Sequence, residues 1–190
     1  MIQQSLFRRS VELACRVYVF VFINIYGLGK IANGQFHRQG YMRPEISQKT
    51  LGDVGGFDLA WAFFGYSKTY VLFIGLSQVI GGFLLLWNRT KLLGAAILIP
   101  ILLNIIFVDA CFGIPAGAMY SAIIYLVLTL IMLYLNRERV AAVWISLVRP
   151  EGALSNEGSS ATRLKLIGLA LLLTAVFFFI ELNGIRRFAD

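Results

Sequence analysis

Five long apolar runs decide most of what this chain can become. They fall at Val11–Ile31, Tyr70–Trp87, Leu92–Asp109, Gly117–Leu135 and Leu164–Asn183. Each is close to the roughly 20 residues a helix needs to cross a hydrocarbon core about 30 Å thick. In lipid, backbone polar groups must bond within their own segment or close a barrel. The runs lack the alternation that barrel strands show, so helices are expected throughout. The 190 residues are 58% hydrophobic and 14% charged, against about half and a quarter in soluble domains. The fold expected is an all-α membrane protein. A four-helix transmembrane bundle occupies residues 1–136, and a fifth C-terminal transmembrane helix with an outer tail occupies residues 164–190.

The net charge of +7 raises the question of nucleic acid. The basic residues sit at the ends of the apolar runs and form no patch, so they read as orientation signals; no nucleic-acid partner is expected, and the lipid bilayer is the first partner. "WNRTKLL" between the second and third runs is basic, whereas "DACFGIPAG" between the third and fourth has no Lys or Arg. This places the N-terminus inside and the C-terminus outside, in a bacterial cytoplasmic (inner) membrane. The long first loop, basic although outside, is the exception. "LFRRSVELAC" has a basic start, but Glu12 interrupts any apolar stretch before Cys15, so an uncleaved first helix is expected. Cys15 and Cys111 fall near opposite faces, roughly 20 Å apart in depth, too far for a disulfide.

Two shorter segments carry pattern. "FDLAWAFFGYS", residues 57–67, reads as an interfacial or re-entrant helix capped by Asp58. Residues 137–163 begin with "RERVAAVWISLVR", which places Val140, Val143, Trp144, Leu147 and Val148 on one face. That segment is either an interfacial helix or an extension of the fourth span. "PEGALSNEGSSATR" then reads as a flexible linker.

Polar side chains inside spans are costly and mark functional or packing sites. Asn24, Gln78 and Asn104 fall roughly 8–12 Å below the outer boundary at 1.5 Å per residue. They form a candidate amide layer that either holds a polar head group or bonds helix to helix. Pro100 falls just inward of this layer. Lys30 and Asp109 lie nearer the outer surface, where a cation would relieve a carboxylate at a helix C-terminus. Each could equally snorkel to water. Gly27, Gly81 and Gly82 read as close-packing positions. The single histidine, His37, builds no metal cluster, and no metal site is expected. No phosphate loop, zinc-protease motif or serine–histidine arrangement is present, so catalytic residues are unassigned.

"YGLGKI" and "GLSQVIGGFLLLWNRTKLLGAAIL" together resemble the DoxX-like family of small four-helix membrane proteins, over roughly Val11 to Leu135. Gly27-x-x-Lys30 is similar to the family's glycine–lysine signature at the end of its first helix. The family often has a glutamate where this chain has Gln78, and the fifth helix is additional to its pattern. The resemblance implies association with quinone-linked or redox-protective membrane complexes. The expected role is an integral membrane accessory subunit without activity of its own. It would bind a quinone or lipid head group in the outer half of the bundle, and work with a membrane protein partner or as an oligomer. The alternative is a non-catalytic assembly or scaffold protein docking on a larger complex.

Overall fold

A computed structural model describes residues 2–32, 34–38, 40–149 and 160–189; the side chains of 2–5, 160–163 and 180–189 fall outside that description. Every described element is helical. In chain order these are α1 (Ile2–Ile31), α2 (Pro44–Ser47), a 3-10 turn at Leu51–Asp53, α3 (Gly56–Gly65), α4 (Lys68–Leu86), α5 (Lys91–Cys111), α6 (Ala116–Leu135), α7 (Arg137–Val148) and α8 (Ser160–Ala189). The chain divides into two compact units, residues 1–142 and 143–190.

Four helices are long and apolar enough to cross a membrane: Leu6–Ile31 within α1, and α4, α5 and α6. Only 22–33% of each apolar window is buried within the protein, so most of this surface is left to face lipid. The chain is thus an integral membrane protein built on a four-helix bundle. In that bundle α1 packs on α4, α4 on α5, α5 on α6, and α6 back on α1. The expected spans match these helices closely, except that α1 begins well before residue 11. In α8 the described apolar stretch, Leu164–Phe179, is shorter than the four spans. The linker expected over 150–163 falls largely outside the described residues. α7 is a separate helix beginning just past Asn136, which ends α6.

Each spanning helix buries one stripe. On α1 it is Cys15, Arg16, Val19, Ile23, Asn24, Gly27 and Lys30, the three- and four-residue spacing of one helical face. Small residues set the helix spacing. A Cβ on Gly27 would lie 2.9 Å from the carbonyl oxygen of Gly75, and one on Gly94 would lie 2.7 Å from that of Gly81. One on Gly82 would overlap Asn24 and Ile23. Close approach gives the dispersion contacts that hold helices together where no hydrophobic drive separates protein from lipid. Cys15 is buried, Cys111 is exposed, and both are free thiols.

One end of the bundle is closed by charge. The Glu12 carboxylate accepts from Lys91 Nζ at 2.9 Å, Arg16 Nη1 at 3.3 Å and Asn136 Nδ2 at 3.4 Å. Arg16 also donates through Nε to Leu85 O at 2.5 Å and through Nη2 to Leu86 O, while Thr90 Oγ1 donates to Leu84 O at 2.9 Å. The last carbonyls of a helix have no partner within it, and these side chains supply one. Arg8 does the same for Leu135 O at the end of α6.

At the opposite end, α5 ends at Cys111 with Phe112 as its cap, and Gly113 has the φ of +63° that suits the residue following a helix cap. Phe112 N donates back to Val108 O at 2.9 Å and Ile114 N to Asp109 O at 3.1 Å, and Pro115 prevents continuation.

Gly94→Ala is expected to lower the apparent melting temperature in detergent, through about 1–3 kcal/mol of overpacking between α4 and α5. Gly29, where an added Cβ meets nothing within 4 Å, is the control. Gly29→Ala should be neutral or stabilising by up to about 1 kcal/mol, by helix propensity alone. Equal effects at the two sites would contradict the packing role.

Candidate functional site

The Lys30 end of the bundle is covered by the segment between α1 and α4. α3 starts at Gly55 as its N-cap residue, with no side-chain cap, which corrects the expectation that Asp58 caps it. Asp58 lies in the first turn instead, a favourable place for a carboxylate, and its Oδ1 is 3.0 Å from His37 Nε2. His37 N also donates to Trp61 O at 3.2 Å. A Cβ on Gly65 would overlap the carbonyl of His37, and one on Gly56 would sit 2.7 Å from Phe112 O. Only glycine lets the cap lie this close to its neighbours. Aromatic rings fill the rest: Phe57 stacks on Trp61 at 4.4 Å, and Phe36 meets Trp61 at 5.5 Å and Phe64 at 5.6 Å.

Beneath this cap lies a cavity of about 580 Å³. Its walls come from α1 (Ile23, Tyr26, Lys30), the cap (Phe36, Phe57, Trp61, Phe64), α4 (Tyr70, Phe73, Gln78), α5 (Pro100, Asn104, Asp109) and α6 (Ser121, Tyr125), among others. That volume is in the range of small-molecule sites, which pair apolar walls with a few convergent polar groups.

Four of the five candidate ligand residues line this cavity: Lys30, Gln78, Asn104 and Asp109. Gln78 is 0% exposed, Lys30 4% and Asp109 6%, whereas Asn104 is exposed. Asn104 also borders a second hollow of about 440 Å³, between α3 and the adjoining ends of α4 and α5. Asn24 is not among the lining residues. Its Nδ2 donates to Phe20 O at 2.8 Å on its own helix, and its amide lies against Gly82 of α4. The three-amide layer expected at one depth is therefore two amides at the cavity and one in a helix contact.

Lys30 and Asp109 do not form the salt bridge that their matching depth suggested. Among the described residues the ion pairs are Arg16–Glu12, Lys91–Glu12 and His37–Asp58. Lys30 Nζ instead lies 5.8 Å from the centre of the Tyr26 ring and 5.9 Å from that of Phe36, at cation–π range. The two opposite charges are separate members of one cavity wall. Asp109 Oδ2, both amide atoms of Gln78 and, outside the cavity, Asn24 Oδ1 are buried and hydrogen-bond to no described residue. Such groups are unusual, because each carries a desolvation cost of about 1–3 kcal/mol.

Sequence reasoning missed Tyr125, which is buried in this wall and packs near Tyr18, Phe22 and Tyr26 at ring distances of 6.0–6.2 Å. A signal was present in Ser121, Tyr125 and Thr129, which repeat at four-residue spacing along α6. It also missed Glu12, which it read only as an interruption.

Fold and site define a small integral membrane protein with a capped, polar-floored cavity at one end of a four-helix bundle. The sequence is 38% identical over 137 residues to the uncharacterized protein YwoB of Bacillus subtilis (strain 168), a match covering 72% of this chain and 84% of YwoB. The chain belongs to the same family as YwoB. No family model matches the chain, and no solved structure matches it.

Gly65→Ala is expected to lift the cap from residues 36–37. In a background with Trp87 and Trp144 replaced by Phe, iodide should then quench Trp61 more strongly than in the parent. Unchanged quenching would show that the contact at Gly65 does not hold the cap.

Proposed function

We propose that this protein is a DoxX-like integral membrane accessory subunit that holds a quinone or lipid head group in the capped cavity. The observation that carries this reading is the set of buried polar groups, Gln78, Lys30 and Asp109, in one largely apolar cavity. The bundle offers no redox centre in its sequence, so in a quinone-linked complex a partner would supply the electrons. The protein would then position the head group through Gln78 and Lys30, with Asn104 at the cavity edge.

In this reading the Glu12 end lies inside and the Lys30 end outside a bacterial cytoplasmic membrane, and α8 is a fifth membrane helix. A scaffold role is the second reading. It draws on α8, whose side chains from Leu164 to Phe178 are all exposed, an apolar surface that could pack on another protein or on lipid.

Protein purified in mild detergent and extracted with organic solvent should yield a quinone or lipid at near one per chain. Gln78→Leu should lower that yield about tenfold, the loss of one hydrogen bond in a buried site. Asn24→Leu, outside the cavity, should not. A bundle that carries nothing, together with a stably co-purifying membrane protein, would favour the scaffold reading. Orientation has its own test in Cys111, the exposed thiol at the Lys30 end. A membrane-impermeant maleimide should label it in intact cells, and labelling only after permeabilisation would reverse the assignment.

A further inference from the structure

The unpartnered atoms of the cavity distinguish among amphiphiles. Asp109 Oδ2 and Gln78 Oε1 can only accept hydrogen bonds, whereas Gln78 Nε2 can only donate. Lys30, in the same wall, is a cation that faces Tyr26 and Phe36 and is not in a salt bridge with Asp109. A buried cation and a buried anion that share a cavity without touching define a site for a group carrying both charges.

A quinone has carbonyl acceptors only. It could satisfy Lys30 and Gln78 Nε2, but it would leave Asp109 Oδ2 and Gln78 Oε1 with no donor. A purely anionic head group would suit Lys30 and be repelled by Asp109. A quaternary ammonium balances the carboxylate but has no N–H to give it. A primary ammonium joined to a phosphodiester meets all of these demands. The ammonium donates to Asp109 and Gln78 Oε1, and the phosphate oxygens accept from Lys30 and Gln78 Nε2. Phe73 and Pro100 line the cavity and are themselves exposed along membrane-spanning helices, so the cavity is open at a depth where acyl chains can leave it.

We propose that the cavity takes the head group of an aminophospholipid of the phosphatidylethanolamine type, with its ammonium at Asp109 and its phosphate at Lys30. This rests on the reading that the cavity holds a membrane amphiphile, and it selects the zwitterionic lipid from the classes that reading allows.

The test uses the full-length protein in dodecyl maltoside, with Trp87 and Trp144 replaced by Phe so that Trp61, in the cavity wall, reports alone. Phosphatidylethanolamine, phosphatidylglycerol and phosphatidylcholine with brominated chains are titrated, together with a short-chain quinone. Phosphatidylethanolamine should quench Trp61 at concentrations about tenfold to a hundredfold lower than phosphatidylglycerol, the range of one hydrogen bond to a charged group. Asp109→Asn should remove that preference, while Lys30→Met should weaken both lipids together. Equal binding of the two lipids by the parent protein overturns the inference and leaves the amphiphile reading intact. Quinone binding that phosphatidylethanolamine does not displace has the same consequence. Phosphatidylcholine binding as tightly as phosphatidylethanolamine overturns the N–H contact assigned to Asp109. Quenching by none of the four overturns the inference and the amphiphile reading together.

Discussion

A single carboxylate joins three of the four spanning helices. Glu12 of α1 reaches Lys91 at the start of α5 and Asn136 at the end of α6, and holds Arg16 one turn along its own helix. Arg16 then carries the linkage to the fourth helix, where it closes the last carbonyls of α4. Charges placed this deep are tolerable only when paired and fully hydrogen-bonded. Here the pairing also fixes register, because each partner must arrive at one depth. The glycine contacts along α1, α4 and α5 depend on that register. A shift of one residue would turn Gly27 and Gly94 away from the backbones they pack against, and Gly81 away from Leu98, by about 100° per residue.

The two ends of the bundle handle buried polarity differently. At the Glu12 end every partner described for Arg16 and Lys91 is a carbonyl, an amide or a carboxylate at hydrogen-bond distance. At the Lys30 end Gln78 keeps both amide atoms unpaired, and Asp109 keeps one oxygen unpaired. Asn24, in the contact between α1 and α4, also keeps a buried Oδ1 unpaired, so incomplete pairing marks the Lys30 half of the bundle as well as the cavity wall.

The spanning helices were legible in the sequence because the apolar runs are bounded by charges and turn residues. "DACFGIPAG" reads directly as a helix stop, with Gly113 and Pro115 in the places a cap and a break require. The packing glycines were legible for a related reason, since a residue without a side chain in a span has few other uses. Azimuth was not legible. The rise per residue gives the depth of Asn24, Gln78 and Asn104, but the direction of each depends on which helix packs beside it. Asn24 thus turned toward Gly82 while Gln78 turned into the cavity. The Glu12 network was hidden because its partners lie 79 and 124 residues away in the chain. Tyr125 was hidden because an aromatic ring in an apolar run looks like any other core residue.

The cavity itself follows from an uneven distribution of size. Where α1, α4 and α5 meet near Gly82 and Gly94, small residues let backbones touch, and Leu85 and Leu98 fill what remains. Toward the Lys30 end, Tyr26, Phe73 and Tyr125 project from α1, α4 and α6, and the rings of the cap span the opening. Rigid rings meeting at an angle leave more space than interdigitating aliphatic chains. Leucine at position 78 would cost the fold less than an amide with both atoms unpaired. The chain carries glutamine there, between a lysine and an aspartate that do not touch. Each buried group left without a partner carries a desolvation cost, so that arrangement is less stable than an all-aliphatic wall at the same place would be.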